Sequence, residues 1–242
     1  MLHEKRFYRL YSSDDRWKTF NVRLHTTDLY IRALADISAK AQIYLAELRK
    51  EIEDHIKVRD LFLTSLEPLN NPENSTPILS MMYEASKAAG TGPMAAVAGA
   101  IAECTGKKLL GDSPEIIVEN GGDVWMKLNT PVTMGIYCDN IHFRDRLALK
   151  INNDQTPCAV CTSSSKTGHS LSFGKADSVT IIAGDGAFAD AAATETCNRV
   201  TSDSSITDAL NFALSVPSVR GCLIIYRDIL AVMGDMELVP PS

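Results

Sequence analysis

One stretch, Ser178–Asn198 (SVTIIAGDGAFADAAATETCN), constrains the fold of this chain more than any other. The β-branched residues Val179, Ile181 and Ile182 sit in a short apolar run and predict a strand, and Asp185-Gly186 supplies turn chemistry. A helix made almost entirely of small residues is expected to follow, slim enough for neighbouring backbones to pack directly against it. Asp190 and Thr194 stand four positions apart and share one helical face, and Asn198 extends the row. A hard cation such as Mg²⁺ takes few carboxylates together with other oxygens and retained waters, so Asp190 and Thr194 can act as its ligands. The alternative is a tightly packed alanine helix with a solvated polar stripe.

A second stretch of the same kind, Gly90–Gly106 (GTGPMAAVAGAIAECTG), predicts another smooth rod. Pro93 suits its first turn and Gly106 its stop. The free N–H groups at such a helix start can hold an anion. Gly90-Thr91-Gly92 is therefore a candidate phosphate cradle, with Gly92 at the helix terminus, although close packing against a sheet explains the alanines equally well.

The remaining pattern alternates strands and helices. Phe7–Tyr11, Phe20–Leu24 and Leu29–Ala33 alternate apolar and polar residues as an antiparallel meander does. Asp36–Lys57 carries Ile37, Ala41, Leu45, Leu48, Ile52 and Ile56 at helical spacing, and Thr76-Pro77 reads as the N-cap and first residue of a helix ending at Gly90. Glu115–Glu119 and Val124–Leu128 flank Asn120-Gly121-Gly122-Asp123, a hairpin signal. There Gly121 and Gly122 would let a ligand lie against the backbone, and Asp123 could bond its polar edge. Strands are also expected over Val132–Cys138 and Arg146–Ile151. A helix capped by Ser204 and a hairpin over Arg227-Asp228 complete the chain.

Pro157–Lys175 (PCAVCTSSSKTGHSLSFGK) holds a lone C-x-x-C followed by a polar loop. On a strand, Cys158 and Cys161 point to opposite faces, which disfavours both chelation and a vicinal redox pair. Cys161, at the strand end, could react if His169 or Lys166 depressed its pKa; a small buried hydrophobe is the alternative. His169, between Gly168 and Ser170, is the histidine best placed for phosphate contact or proton transfer. Ser163, Ser164 and Gly168 are the cofactor contacts expected from the same loop.

The 242 residues, 45% of them hydrophobic, suffice for one domain spanning 1–242 or two subdomains sharing a sheet. No apolar run approaches the ~20 residues that cross a bilayer. No secretory signal is read at the start, so a cytoplasmic location is expected, with the six cysteines reduced. A net charge of −6 argues against non-specific nucleic-acid binding. The alanine-rich faces would equally suit a homo-oligomer interface.

GPMAAVAGAIAE, the ENGGD turn, CTSS followed by GHSLSFGKADSVT, and ADAAAT together resemble the uncharacterised protein family 0280, a short branch of the ApbE-like superfamily of FAD:protein FMN transferases. The resemblance runs from about Thr19 to Met233. It implies an α+β fold, antiparallel sheet with flanking helices, and a cleft between the glycine turn and the small-residue helix. In the transferases an Asp and a Thr at this helical spacing bind Mg²⁺ and a Gly-Gly-Asp turn lies beside the flavin nucleotide. The resemblance thus places Mg²⁺ on Asp190 and Thr194, and FAD or FMN beside Gly121, Gly122 and Asp123. The transferases' His-x-x-Asp-Pro-x-x-Gly segment is absent, since the corresponding interval reads HSLSFGKAD, so flavin transfer is not directly inherited. Two kinds of function follow. One is a Mg²⁺-dependent transferase acting on a nucleotide or other phosphorylated small molecule, with His169 as acid/base. The other is an accessory role in anaerobic sulfide assimilation and homocysteine formation, with Cys161 carrying sulfur among protein partners. A non-catalytic binding module is the third.

Overall fold

The computed structural model describes residues 16–165 and 174–241. Its frame is an eight-stranded sheet in the order β1-β2-β3-β4-β7-β8-β9-β10. These strands are β1 (Lys18–Leu24), β2 (Thr27–Ala33), β3 (Ile116–Asn120), β4 (Asp123–Lys127), β7 (Cys158–Ser163), β8 (Ser178–Ala183), β9 (Val219–Tyr226) and β10 (Ile229–Gly234). Every neighbouring pair is antiparallel. A three-stranded antiparallel sheet, β5 (Val132–Gly135), β6 (Ala148–Ile151) and β11 (Glu237–Val239), has the order β11-β6-β5. The expected α+β architecture is therefore present.

The central strands are covered on both faces, which explains why β8 is buried along its whole length while the edge strand β10 is only partly covered. On one face Val118, Trp125, Ala159, Cys161, Val179, Ile181 and Ile224 pack with the helices. On the other, Met126, Cys158, Val160, Ile182 and Ile225 pack with Leu149 and Ile151 of the small sheet. The period-2 rule thus separates Cys158 from Cys161 as expected.

The helical layer comprises α1 (Ser38–Val58), α2 (Leu61–Thr64), α3 (Pro77–Ala89), α4 (Val97–Leu109), α5 (Gly186–Arg199) and α6 (Ile206–Ser215). α1 buries Ala41, Leu45, Leu48 and Ile52, the predicted stripe. α3 starts with Thr76 as N-cap and Pro77 at its first position, and it stops at Gly90 in the left-handed region (φ 78°). α5 packs against α3, α4, β7 and β8 at once. The surfaces it presents to these neighbours include the buried Ala187, Ala189, Ala191, Ala192 and Ala193, where added methylenes in a packed core would cost about 1–3 kcal/mol.

The second small-residue rod differs from expectation. Pro93–Ala96 forms a 3-10 turn, and α4 begins only at Val97. Gly106 does not stop the helix, which runs on to Leu109; a Cβ there would overlap the Trp125 ring. Gly106 is small because an aromatic ring of β4 lies on it. The strand expected over Phe7–Tyr11 lies outside the described residues. β11 is three residues long, too short for a periodic signal.

Candidate functional site

α4 and α5 cross backbone to backbone. A Cβ on Gly99 would overlap the Gly186 carbonyl, and one on Gly186 would overlap the Gly99 carbonyl. At this separation each helix reaches the other's first turn, where N–H groups lack intrahelical partners. Asp190, on α5, accepts a hydrogen bond through Oδ2 from the Gly99 N–H at 2.9 Å. Glu103, on α4, accepts one through Oε2 from the Gly186 N–H at 2.6 Å. Each carboxylate sits at the positive end of the partner helix's dipole. Glu103 is fully buried, and its other oxygen pairs with Lys107. Sequence reasoning missed Glu103, although it is the one charged residue within Val97–Gly106 and therefore conspicuous.

The sheet end beneath this crossing supplies the other groups. Gly121 and Gly122 turn the chain at φ 72° and 120°, which L-residues resist. β4 starts directly after them at Asp123. The register Val124↔Val160 brings Asp123 beside Cys161 on the helix-facing side of β7. The Cys161 thiol faces the Asp123 carboxylate, and its sulfur lies 3.7 Å from the Gly186 carbonyl oxygen. Asn120 donates through Nδ2 to the Ala98 carbonyl at 3.2 Å, tying the hairpin to the start of α4. Asp123, Cys161 and Asp190 are thereby brought together from three elements far apart in sequence.

Their electrostatics share one cause. Burial pushes Asp123 up from the ordinary 3.8 to about 7; the Glu119 charge adds to this, while the Cys161 thiol and the Thr162 N–H work against it. Burial, and then repulsion from Asp123, holds Asp190 well above its ordinary range despite the N–H donors of Gly99 and Ala98. The Cys161 thiol is raised by burial and by both carboxylates. Of the two readings of Cys161, full burial and the opposing neighbours accord with the small buried hydrophobe; His169 and Lys166, on which a lowered pKa depended, lie outside the described residues.

Two buried carboxylates that repel one another are a setting a cation would relieve. Asp123 Oδ1 and Ser163 Oγ are buried and make no hydrogen bond, so oxygen donors remain unused at this end of the sheet. Thr194, one turn along α5 from Asp190, is as buried as Asp190. Among the described residues no three His, Cys, Asp or Glu side chains converge as a ready metal cage. The donor set suits a hard cation completed by hydroxyl, water and ligand oxygens rather than a soft one.

The other candidates fall in different places. Gly122 has nothing within 4 Å of where a Cβ would stand, so the glycine turn faces open space. Ser164 is half-buried. The cradle expected at Gly92 is filled by the chain itself: a Cβ there would collide with the Ser65 carbonyl, and the helix start beside it is a four-residue 3-10 turn. Lys166, Gly168 and His169 lie outside the described residues.

The family model described as AbpE bacteria matches residues 9–216. A UPF0280 protein of Methanobrevibacter smithii is 36% identical over 217 residues, covering 87% of this chain and 91% of its own length. A UPF0280 protein of Methanocaldococcus jannaschii is 36% identical over 206 residues, with 83% and 84% covered. Among solved structures, a variant of the flavin transferase ApbE from Vibrio cholerae aligns with TM-score 0.59 at 12% identity, over 90% of this chain and 97% of that one. The ApbE protein of Thermotoga maritima aligns with TM-score 0.54 at 16% identity, over 90% and 97%. At such identities these structures share the fold, while the matched sequences carry the kinship: the chain belongs to the AbpE bacteria family and, with its archaeal relatives, to the UPF0280 proteins.

Proposed function

We propose that this protein binds a flavin nucleotide, or another phosphorylated small molecule, together with a divalent cation, at the sheet end between the Gly121-Gly122 turn and α5. The observation that carries the reading is the apposition of Asp123 and Asp190. Two carboxylates are buried together, one with an unpartnered oxygen, below a turn with no side chains of its own. Asp190 and Thr194, with Asp123 nearby, would hold Mg²⁺, which in turn would neutralise phosphate charge. Gly121 and Gly122 give a planar ligand access to the backbone. Ser163 offers a hydroxyl with no partner of its own. The solved ApbE flavin transferases share this fold and support a flavin as the nucleotide. A transferase reaction is the activity such a site would serve.

The test is a thermal unfolding series with FAD and MgCl₂, singly and together. At a hundred times Kd a ligand stabilises by about 2.7 kcal/mol, which for a chain of this size raises Tm by about 5–10 °C. The full shift is expected only with both present, and it should vanish in Asp190→Asn. An unchanged Tm with both ligands at millimolar concentration, or an undiminished shift in the variant, refutes the reading.

A further inference from the structure

The connection from β5 to β6 lies on the opposite side of the large sheet from the helices, with Phe143 and Leu147 packed against the small-sheet core. It lines an open cavity of ≈ 660 Å³, together with Asp177, just before β8, and Arg227, in the β9–β10 turn. This size lies within the range of small-molecule sites. None of the lining residues belongs to the Asp123–Asp190 cluster.

The floor of the cavity is rigidly built. Asp177, 3% exposed, accepts hydrogen bonds from Asn140 Nδ2 and from the Arg227 N–H, each at 2.7 Å. Asn140, 6% exposed, also donates to the Arg227 carbonyl at 2.7 Å and accepts from the His142 N–H at 2.9 Å. These bonds fix the loop and hold Arg227 at φ 57°. The rim carries Arg144, Arg146 and Arg227, with His142 beside them. Against them stand Asp177, already engaged by N–H donors, and Asp139, which pairs with Arg144 where both are about half exposed. Arg227 meets Asp203 only at 3.7 Å, with both largely exposed. Arg146 pairs with no carboxylate among the described residues. Exposed ion pairs of this kind are worth little, so their guanidiniums can transfer to a better anion at small cost. In a chain of net charge −6, three guanidiniums around one fixed-floor cavity are a local reversal of sign.

We propose that this cavity is a second ligand site, taking the phosphate group of a small molecule between Arg144, Arg146 and Arg227. Phosphate fits better than carboxylate here. Its several oxygens accept the planar forks of more than one guanidinium at once, and a dianion outcompetes the Asp139 carboxylate. The site requires no metal and does not depend on the Asp123–Asp190 reading.

Isothermal titration with inorganic pyrophosphate in metal-free buffer, against KCl at matched ionic strength, tests it. Saturable binding is expected in the wild type, with no response to KCl. Loss of the bidentate contacts in Arg144→Ala/Arg146→Ala should weaken binding about ten-fold or more. Arg23→Ala, on the edge strand β1, should retain the wild-type affinity. No saturable binding by the wild type overturns the proposal, as does equal affinity in the double variant. Equal weakening in Arg23→Ala also overturns it, because the attraction would then be diffuse rather than local.

Discussion

Asp123→Asn should make the cation-free protein more stable at neutral pH, although it removes a residue of the candidate site. The carboxyl is raised from 3.8 to about 7 by burial. Between those values the folded state binds a proton at Asp123 that the unfolded chain does not, so the Asp123 contribution to stability falls as pH rises through the window and is fully lost above about pH 7. At 1.36 kcal/mol per pH unit, the gap between 3.8 and about 7 corresponds to a loss of about 4 kcal/mol. Asn is neutral at every pH and escapes that loss, but its amide brings an unpartnered donor that costs about 1–3 kcal/mol at all pH values. Asp123→Asn is therefore expected to be about 1–3 kcal/mol more stable than wild type at pH 8, and less stable at pH 4. The orphan-donor cost cancels in the difference between the two, which should approach 4 kcal/mol. Urea unfolding of both proteins at both pH values, in chelator, measures this. Parallel pH profiles for wild type and variant would show that Asp123 is not a buried, proton-retaining group and that no carboxylate repulsion is there for a cation to relieve.

Glu103→Ala strands the buried Gly186 N–H, while the half-exposed Lys107 keeps its water, and should cost about 1–3 kcal/mol in urea unfolding; Glu103→Gln, which keeps an acceptor, should cost clearly less. Cys161 should resist iodoacetamide at pH 8 in the folded protein and react only in denaturant, as peptide mass spectrometry would show; labelling at the rate of a free thiol contradicts its burial. Gly106→Ala should destabilise by about 1–3 kcal/mol and shift tryptophan emission, because its methyl group meets the Trp125 ring; an unchanged midpoint would mean the ring moves aside freely.

Residues whose signal is local were legible in the sequence. Period-2 alternation placed β1 and β2, the apolar stripe placed α1, and Thr76-Pro77 with Gly90 bounded α3. The two small-residue stretches predicted smooth helices, with close packing one of the readings left open, and α4 and α5 do pack at close range. Non-local consequences were not legible. Gly106 has the chemistry of a helix stop, but its smallness answers to Trp125, nineteen residues on and on another element. Gly92 has the chemistry of a phosphate cradle, but its smallness answers to Ser65. A glycine records that something comes close without recording what. For the same reason Asp190 was legible as a polar group on a bare helix, but not as a hydrogen-bond partner of α4.

In the proposed site, Asp190 would join the fold to the chemistry. Gly99 and Gly186 let α4 and α5 touch along their backbones, and only at that distance can Asp190 and Glu103 reach across to each other's first turns. The same approach carries the Asp190 carboxylate to where it feels Asp123. Asp190 thus spends one oxygen on α4, and the repulsion it shares with Asp123 stays uncompensated within the protein. A cation arriving at the site would bind to a carboxylate already fixed in place by Gly99, so little side-chain freedom would remain to be lost on binding. The glycine pair sets the helix separation that holds Asp190 in place, and larger residues at Gly99 or Gly186 should weaken any cation binding by separating the helices before any carboxylate is altered.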